Sequence, residues 1–147
     1  MLWQKYLVFE VIILNMIGVL MRINTHKQIN TKLCGTPICL KQDFSKVEMM
    51  TDATMAVDHT GLVHGGFIFG LADHAAMIAV NHPNVVLGSA DVKFLKPVKV
   101  GEAVVAEAKT KAEKGRKYII SVTVHRDSEL IFTGDFYCFV LDKHVLL

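Results

Sequence analysis

The chain of 147 residues has only three cysteines, three prolines and one tryptophan, and neither sign of charge is in large excess. Cys34, Cys39 and Cys138 are odd in number and match no CxxC spacing. That argues against zinc-ribbon and dithiol redox chemistry and leaves buried, reduced thiols of a cytoplasmic protein as the simplest reading. Sixteen Lys and Arg against 14 Asp and Glu give a net charge of +2. These charges are scattered, without the basic stripe that binding a phosphate backbone demands, so nucleic acid is not an expected partner. His59, His64, His74 and His82 crowd one region, but no H-x-x-x-H pair occurs there, so neither a metal nor a cofactor is expected.

What the chain has in quantity is apolar residues, 52% of the total, enough for one core that removes about two-thirds of the unfolded surface from water. Residues 1–21, MLWQKYLVFEVIILNMIGVLM, form an apolar extension, with Met16 and Met21 as alternative starts. Glu10 and Asn15 interrupt it well short of the ~20 clean residues of a spanning helix, and no small-residue cleavage site follows. No membrane insertion is expected, and an added surface helix is one reading. Residues 22–147 read as a single domain, with no repeat or linker to divide it.

Within that domain, Asn24 or Thr25 offers an N-cap and Gly35 a stop for a short lead-in helix. A strand-like region over 38–57 follows, with KVEMMTDATMAV loosely alternating. DHTGLVHGG then leads into an apolar helix that ends before Pro83. Beyond it the period changes to two. VVLGSADVKFLKPV, AVVAEAKTKA, RKYIISVTVHR and LIFTGDFYCFVL read as strands, joined by tight turns at Lys114-Gly115 and Asp127-Ser128, which makes neighbours antiparallel. The class is α+β: about five strands, curved around one long helix that is apolar on all sides and must be covered.

That helix carries the chemistry. The stretch reads VHGGFIFGLADHAAMIAVN, and an ionised Asp73 is costly among such residues unless it is paired or faces a wet cavity. Asp73 could instead serve structure by capping a loop or pairing with His74. At the entrance, His64-Gly65-Gly66 presents backbone N–H groups with no intrahelical partner, and glycine lets a ligand oxygen approach them. Tight packing is the other use of paired glycines. Gly66 and Asp73 share a face but lie about 10 Å apart along the axis. One helix therefore cannot bring both to one carbonyl, whereas two antiparallel copies about a two-fold axis can. The spacing predicts a dimer with two composite sites.

HGGFIFGLADHAA resembles the helix signature of hotdog-fold acyl-CoA thioesterases, in particular the phenylacetyl-CoA thioesterase-like branch. VKFLKPVKVGEAVVAEA and KGRKYIISVTV resemble the strands that follow it, so the likeness covers roughly residues 45–141. The resemblance implies a hotdog fold, a five-stranded antiparallel sheet wrapped around the helix, in a homodimer or homotetramer that takes an acyl-CoA substrate. It gives Asp73 the part of general base or nucleophile, Gly65 that of the N–H donor to the thioester carbonyl, and His64 that of shaping the loop. Gly66, Asp58, Met77, Phe94 and Lys96 are the expected substrate-binding positions. Asp58 stands six residues before His64, where relatives usually carry Asn or Gln, and Met77 stands one turn after the acid, where some carry Ser or Thr. Lys96 is basic and suited to the phosphates of coenzyme A, and Phe67, Phe69 or Met77 could line an acyl tunnel. The expected activity is thioester hydrolysis. The alternatives are a non-catalytic acyl-CoA-binding or regulatory protein and, on a poorer match, a dehydratase or hydratase.

Overall fold

The central helix, α2 (Gly65–Val80), starts and stops where local chemistry dictates. His64 caps its first turn, and Asn81 ends it in the left-handed conformation at φ 55°, two residues before Pro83. Between the caps Leu, Ala, Met and Ile predominate, and Ile68, Leu71, Ala72 and the run His74–Ala79 are buried. The computed structural model describes residues 12–14 and 20–147.

A six-stranded, wholly antiparallel sheet in the order β3-β4-β6-β7-β8-β5 curves around this helix. Its strands are β3 (Thr36–Lys41), β4 (Phe44–Met50), β5 (Val85–Phe94), β6 (Ala103–Lys114), β7 (Lys117–Arg126) and β8 (Glu129–Val140). The alternation is direct. Val104, Ala106 and Ala108 of β6, with Ile120, Val122 and Val124 of β7, are fully buried beneath α2. Each large apolar side chain so covered contributes roughly 1.5–3 kcal/mol. Ser45 of β4 also enters this layer, donating from Oγ to the Ala75 carbonyl at 2.6 Å and fixing the helix against the sheet. The arrangement is a hotdog-type α+β fold.

The sheet has six strands rather than five. The region over 38–57 is not one strand but a hairpin, β3 to β4, turning at Gln42-Asp43 with Asp43 at φ 58°. A short 3-10 turn, Ala53–Met55, follows. The lead-in helix is a single turn, α1 (Thr31–Cys34), capped by neither Asn24 nor Thr25. Asn30 accepts there from the N–H groups of Lys32 and Leu33, at 3.0 and 3.3 Å. Gly35 stops it as expected, at φ 91°. The central helix has 16 residues and is of moderate length. Within the N-terminal extension, Ile12–Leu14 (β1) pairs with Leu20–Arg22 (β2) as strands, not as an added helix, and the rest of that expectation lies outside the described residues. Among the described residues no helix is long and apolar enough to cross a membrane.

Candidate active site

The entrance of α2 is held by backbone pairing before it. Val63 N–H donates to Val98 O at 2.8 Å and His64 N–H to Met55 O at 2.9 Å. These bonds present His64 in extended geometry, φ −61° and ψ 130°, with its ring turned back over the helix. Nδ1 accepts from Gly66 N–H at 2.8 Å, so that nitrogen carries a lone pair and the ring's proton is on Nε2. Phe67 N–H donates to His64 O at 3.0 Å. Gly65 N–H is left, with no hydrogen-bond partner among the described residues. The sequence expectation of two glycine amides facing a substrate thus narrows to one: Gly65 is available and Gly66 is held by His64.

Glycine at 65 also answers a packing demand. A β-carbon there would lie 3.1 Å from Cε1 of Phe94. Phe94 ends β5, is 55% exposed, and stands edge-on to Phe132 with ring centres 5.1 Å apart. Val57, Leu62 and Leu95, on the segments that meet at this end, are exposed as well. An unsatisfied N–H at the positive end of a helix therefore sits within an apolar rim.

Asp73 lies two turns further along. Its Oδ1 is buried without a hydrogen-bond partner among the described residues, and burial raises its pKa from 3.8 to about 6. It does not pair with His74. That ring turns away, its Nδ1 bonded to Cys34 O at 3.0 Å and its face stacked on His26 at 6.3 Å. His74 ties α1 to α2, and burial lowers its pKa. Two thiols that sequence reasoning missed lie within reach of the Asp73 charge. Burial first, and then the Asp73 charge, raises the pKa of Cys34 and of Cys138, the latter to about 12. No local spacing announces this meeting, because Cys34 arrives on α1 and Cys138 on β8.

The remaining candidates separate. Asp58 is exposed and closes its own turn, accepting from Thr60 N–H at 2.8 Å and Thr60 Oγ at 2.6 Å, which lowers its pKa. Met77 is 1% exposed and belongs to the core, so within a protomer it cannot touch a ligand from solvent. Lys96, two residues beyond Phe94, pairs with Glu129 at 3.1 Å. Glu129 also accepts from Arg126, which in turn donates to Pro97 O at 2.7 Å and pins the segment carrying Phe94 and Lys96. Phe69 is partly buried against Phe136, ring centres 5.4 Å apart. Among the described residues no three His, Cys, Asp or Glu converge closely enough to hold a metal ion.

A free N–H within an apolar rim can polarise a carbonyl, and a buried carboxylate with a raised pKa can take a proton near neutrality. Eight positions separate Gly65 from Asp73, about 12 Å along one helix. A single protomer therefore cannot apply both to one bond.

Residues 60–132 match the family model described as thioesterase superfamily. The crystal structure of an uncharacterized protein from Pyrococcus horikoshii is 53% identical, covers 86% of this chain and 98% of its own, and superposes with a TM-score of 0.86. A mutant structure of the phenylacetic acid degradation protein PaaI from Thermus thermophilus is 26% identical over 74% of this chain and 95% of its own, with a TM-score of 0.68. Among curated proteins, 123 residues are 46% identical to methylthioribose-1-phosphate isomerase of Aquifex aeolicus, 83% of this chain but 27% of that protein. Over 79 residues the chain is 35% identical to transcription factor FapR of Shouchella clausii, 54% of this chain and 41% of that protein. The chain thus spans well under half the length of these curated relatives.

Proposed function

The chain belongs to the thioesterase superfamily, and from that premise we propose that it hydrolyses an acyl-CoA thioester in a site shared between two subunits. The observation that carries this reading is the unpaired, buried Oδ1 of Asp73, with a pKa of about 6. A carboxylate so placed is poised as a general base. The thioester carbonyl receives the Gly65 N–H of one subunit, and Asp73 of the partner takes a proton from the attacking water. As the tetrahedral oxyanion collapses, the C–S bond breaks and the proton passes from Asp73 to the departing coenzyme A thiolate. His64 keeps the helix entrance in shape, and Phe94 with the rim beside it receives the start of the acyl group. Lys96 exchanges Glu129, an exposed and weakly held partner, for a coenzyme phosphate. Asp58 and the core residue Met77 shape the pocket from a distance. The reduced thiols support a cytoplasmic setting.

A second reading has a specific observation behind it. The likeness to a transcription factor favours acyl-CoA binding without turnover, as the sensing half of a regulator. A panel of short, aromatic and long acyl-CoA substrates, assayed with the wild type and Asp73→Asn, separates the two. A general base contributes typically 10²- to 10⁴-fold, so the hydrolase reading expects Asn to lose at least about a hundredfold in kcat with little change in ligand affinity. Tight binding by the wild type, with no turnover above the variant on any substrate, selects the binding protein.

A further inference from the structure

We propose that Glu129 and Arg126 set the affinity for the phosphates of the substrate: Glu129 holds Lys96 back from them, and Arg126 keeps Glu129 paired once Lys96 has left. The inference deepens the acyl-CoA reading above and rests on it.

The three side chains meet because of how β7, β8 and the exit of β5 are joined. Arg126 closes β7 and Glu129 opens β8, paired in register across the tight turn at Asp127, which stands at φ 52°. Lys96 comes from the other side. The Leu95 and Lys96 N–H groups both donate to Ile131 O, at 2.8 and 3.2 Å, which lays the chain after β5 along the start of β8. Lys96 Nζ then lies 3.1 Å from Glu129 Oε1, and Arg126 Nη2 lies 3.2 Å from the same oxygen. One carboxylate oxygen serves two cations.

Those cations are not held alike. The Arg126 side chain is 19% exposed, and its Nη1 donates to Pro97 O at 2.7 Å and to Glu102 Oε2 at 2.9 Å. Glu102 is fixed in turn by the Lys99 N–H at 2.8 Å. Lys96 is 55% exposed, on a flexible stem, whereas the guanidinium fork is anchored on its far side. Lys96 is therefore the cation that can leave. Its departure does not strand Glu129, because Arg126 stays in place beside it. The Lys96 hydrogen bond, with the Lys96 and Arg126 charges behind it, outweighs burial and holds the Glu129 carboxyl below its ordinary range. Glu129 is thus ionised at neutral pH and competes with a phosphate for Lys96. Without Arg126 it would hold Lys96 harder, and without Glu129 the lysine would be free. Arg126 acts through Glu129, as a positioning residue.

The test is calorimetric titration of the full chain with coenzyme A at ~0.15 M salt, where exposed charges more than about 8 Å apart are largely screened. Glu129→Gln should bind about two- to fivefold tighter than wild type and Arg126→Gln about two- to fivefold weaker, the size of one exposed ion pair. Glutamine at 126 keeps a donor for Pro97 O, so the segment stays in place. Two double variants then trace the order of action. The gain in Glu129→Gln should vanish when Lys96→Met is added, and the loss in Arg126→Gln should vanish when Glu129→Gln is added. An Arg126 that merely braced the Pro97 segment would weaken binding in either background. That result, a Glu129→Gln chain no tighter than wild type, or a gain that survives Lys96→Met overturns the inference. A wild type that fails to bind coenzyme A sinks the acyl-CoA reading and the inference with it, whereas wild-type binding that neither variant shifts sinks the inference alone.

Discussion

His64 accepts the N–H of Gly66 through Nδ1 at 2.8 Å, and so acts at the start of α2 as serine or asparagine does at other helices. Removing the acceptor in His64→Ala should cost about 1 kcal/mol of stability, read as a lower urea midpoint. His64→Asn restores a side-chain acceptor at the cap. The expected outcome is recovered stability together with turnover within about tenfold of wild type, because the ring shapes the entrance and moves no proton. A stable His64→Asn protein with turnover reduced a hundredfold or more would instead make the imidazole a proton carrier.

Gly65 meets a packing demand against Phe94 and, in the proposed shared site, a catalytic one, and substitution separates them. Gly65→Ala brings a methyl to 3.1 Å from the exposed Phe94 ring, which can yield by a few tenths of an ångström. Gly65→Val cannot be accommodated so cheaply and also covers the N–H. Turnover should fall modestly in Ala and at least a hundredfold in Val, within the range seen when one oxyanion donor is lost. If packing alone were at stake, adding Phe94→Ala to Gly65→Val would restore activity. We expect that double variant to regain stability but not kcat.

The pH dependence follows from the direction of the Asp73 shift. Its base form is the carboxylate, which burial disfavours, holding the pKa at about 6. The log of kcat/KM should climb with a slope near one below pH 6 and level off above it. Asp73→Asn should flatten that limb. A wild-type profile already level at pH 5 would place the carboxylate in its ordinary range and remove the reason for its burial.

The same shift has an opposite consequence for stability. Because the folded chain keeps the Asp73 proton at pH values where the unfolded chain has released it, stability falls as pH rises from about 4 to 6, and the full penalty is present above that window. Asn avoids it. Chemical denaturation at pH 8 should find Asp73→Asn more stable than wild type by about 1–3 kcal/mol, with the advantage gone at pH 4.

Much of this molecule is legible in its sequence, for identifiable reasons. The central helix is bounded by signals that act locally, the glycines after His64 and the Asn81-Pro83 exit, and β5 to β8 alternate with turns at Gly115 and Asp127, both at positive φ. The β3–β4 hairpin was not legible because its turn, Gln42-Asp43, contains no glycine, and only the aspartate hints that a left-handed residue is needed. Around the candidate site, the spacing of Gly66 and Asp73 along one helix was readable, and Phe94, expected at a substrate-binding position, lies against Gly65. The engagement of Gly66 by His64, the burial of Met77 and the arrival of Cys34 and Cys138 within reach of the Asp73 charge were not readable. Each depends on which way a side chain turns or on elements distant in sequence.

The central claim, a site built from Gly65 of one subunit and Asp73 of the other, is tested most directly by mixing two inactive variants. Gly65→Val chains and Asp73→Asn chains each form dimers in which both sites are broken. In a mixed dimer, one site gathers both lesions and the other is wholly native. After co-refolding in equal amounts, half the dimers are mixed and half their sites are intact, so activity should return to about a quarter of wild type. If mixing yields no more than the average of the two parents, with subunit exchange verified, Gly65 and Asp73 act within one chain or not at all, and the shared site is wrong.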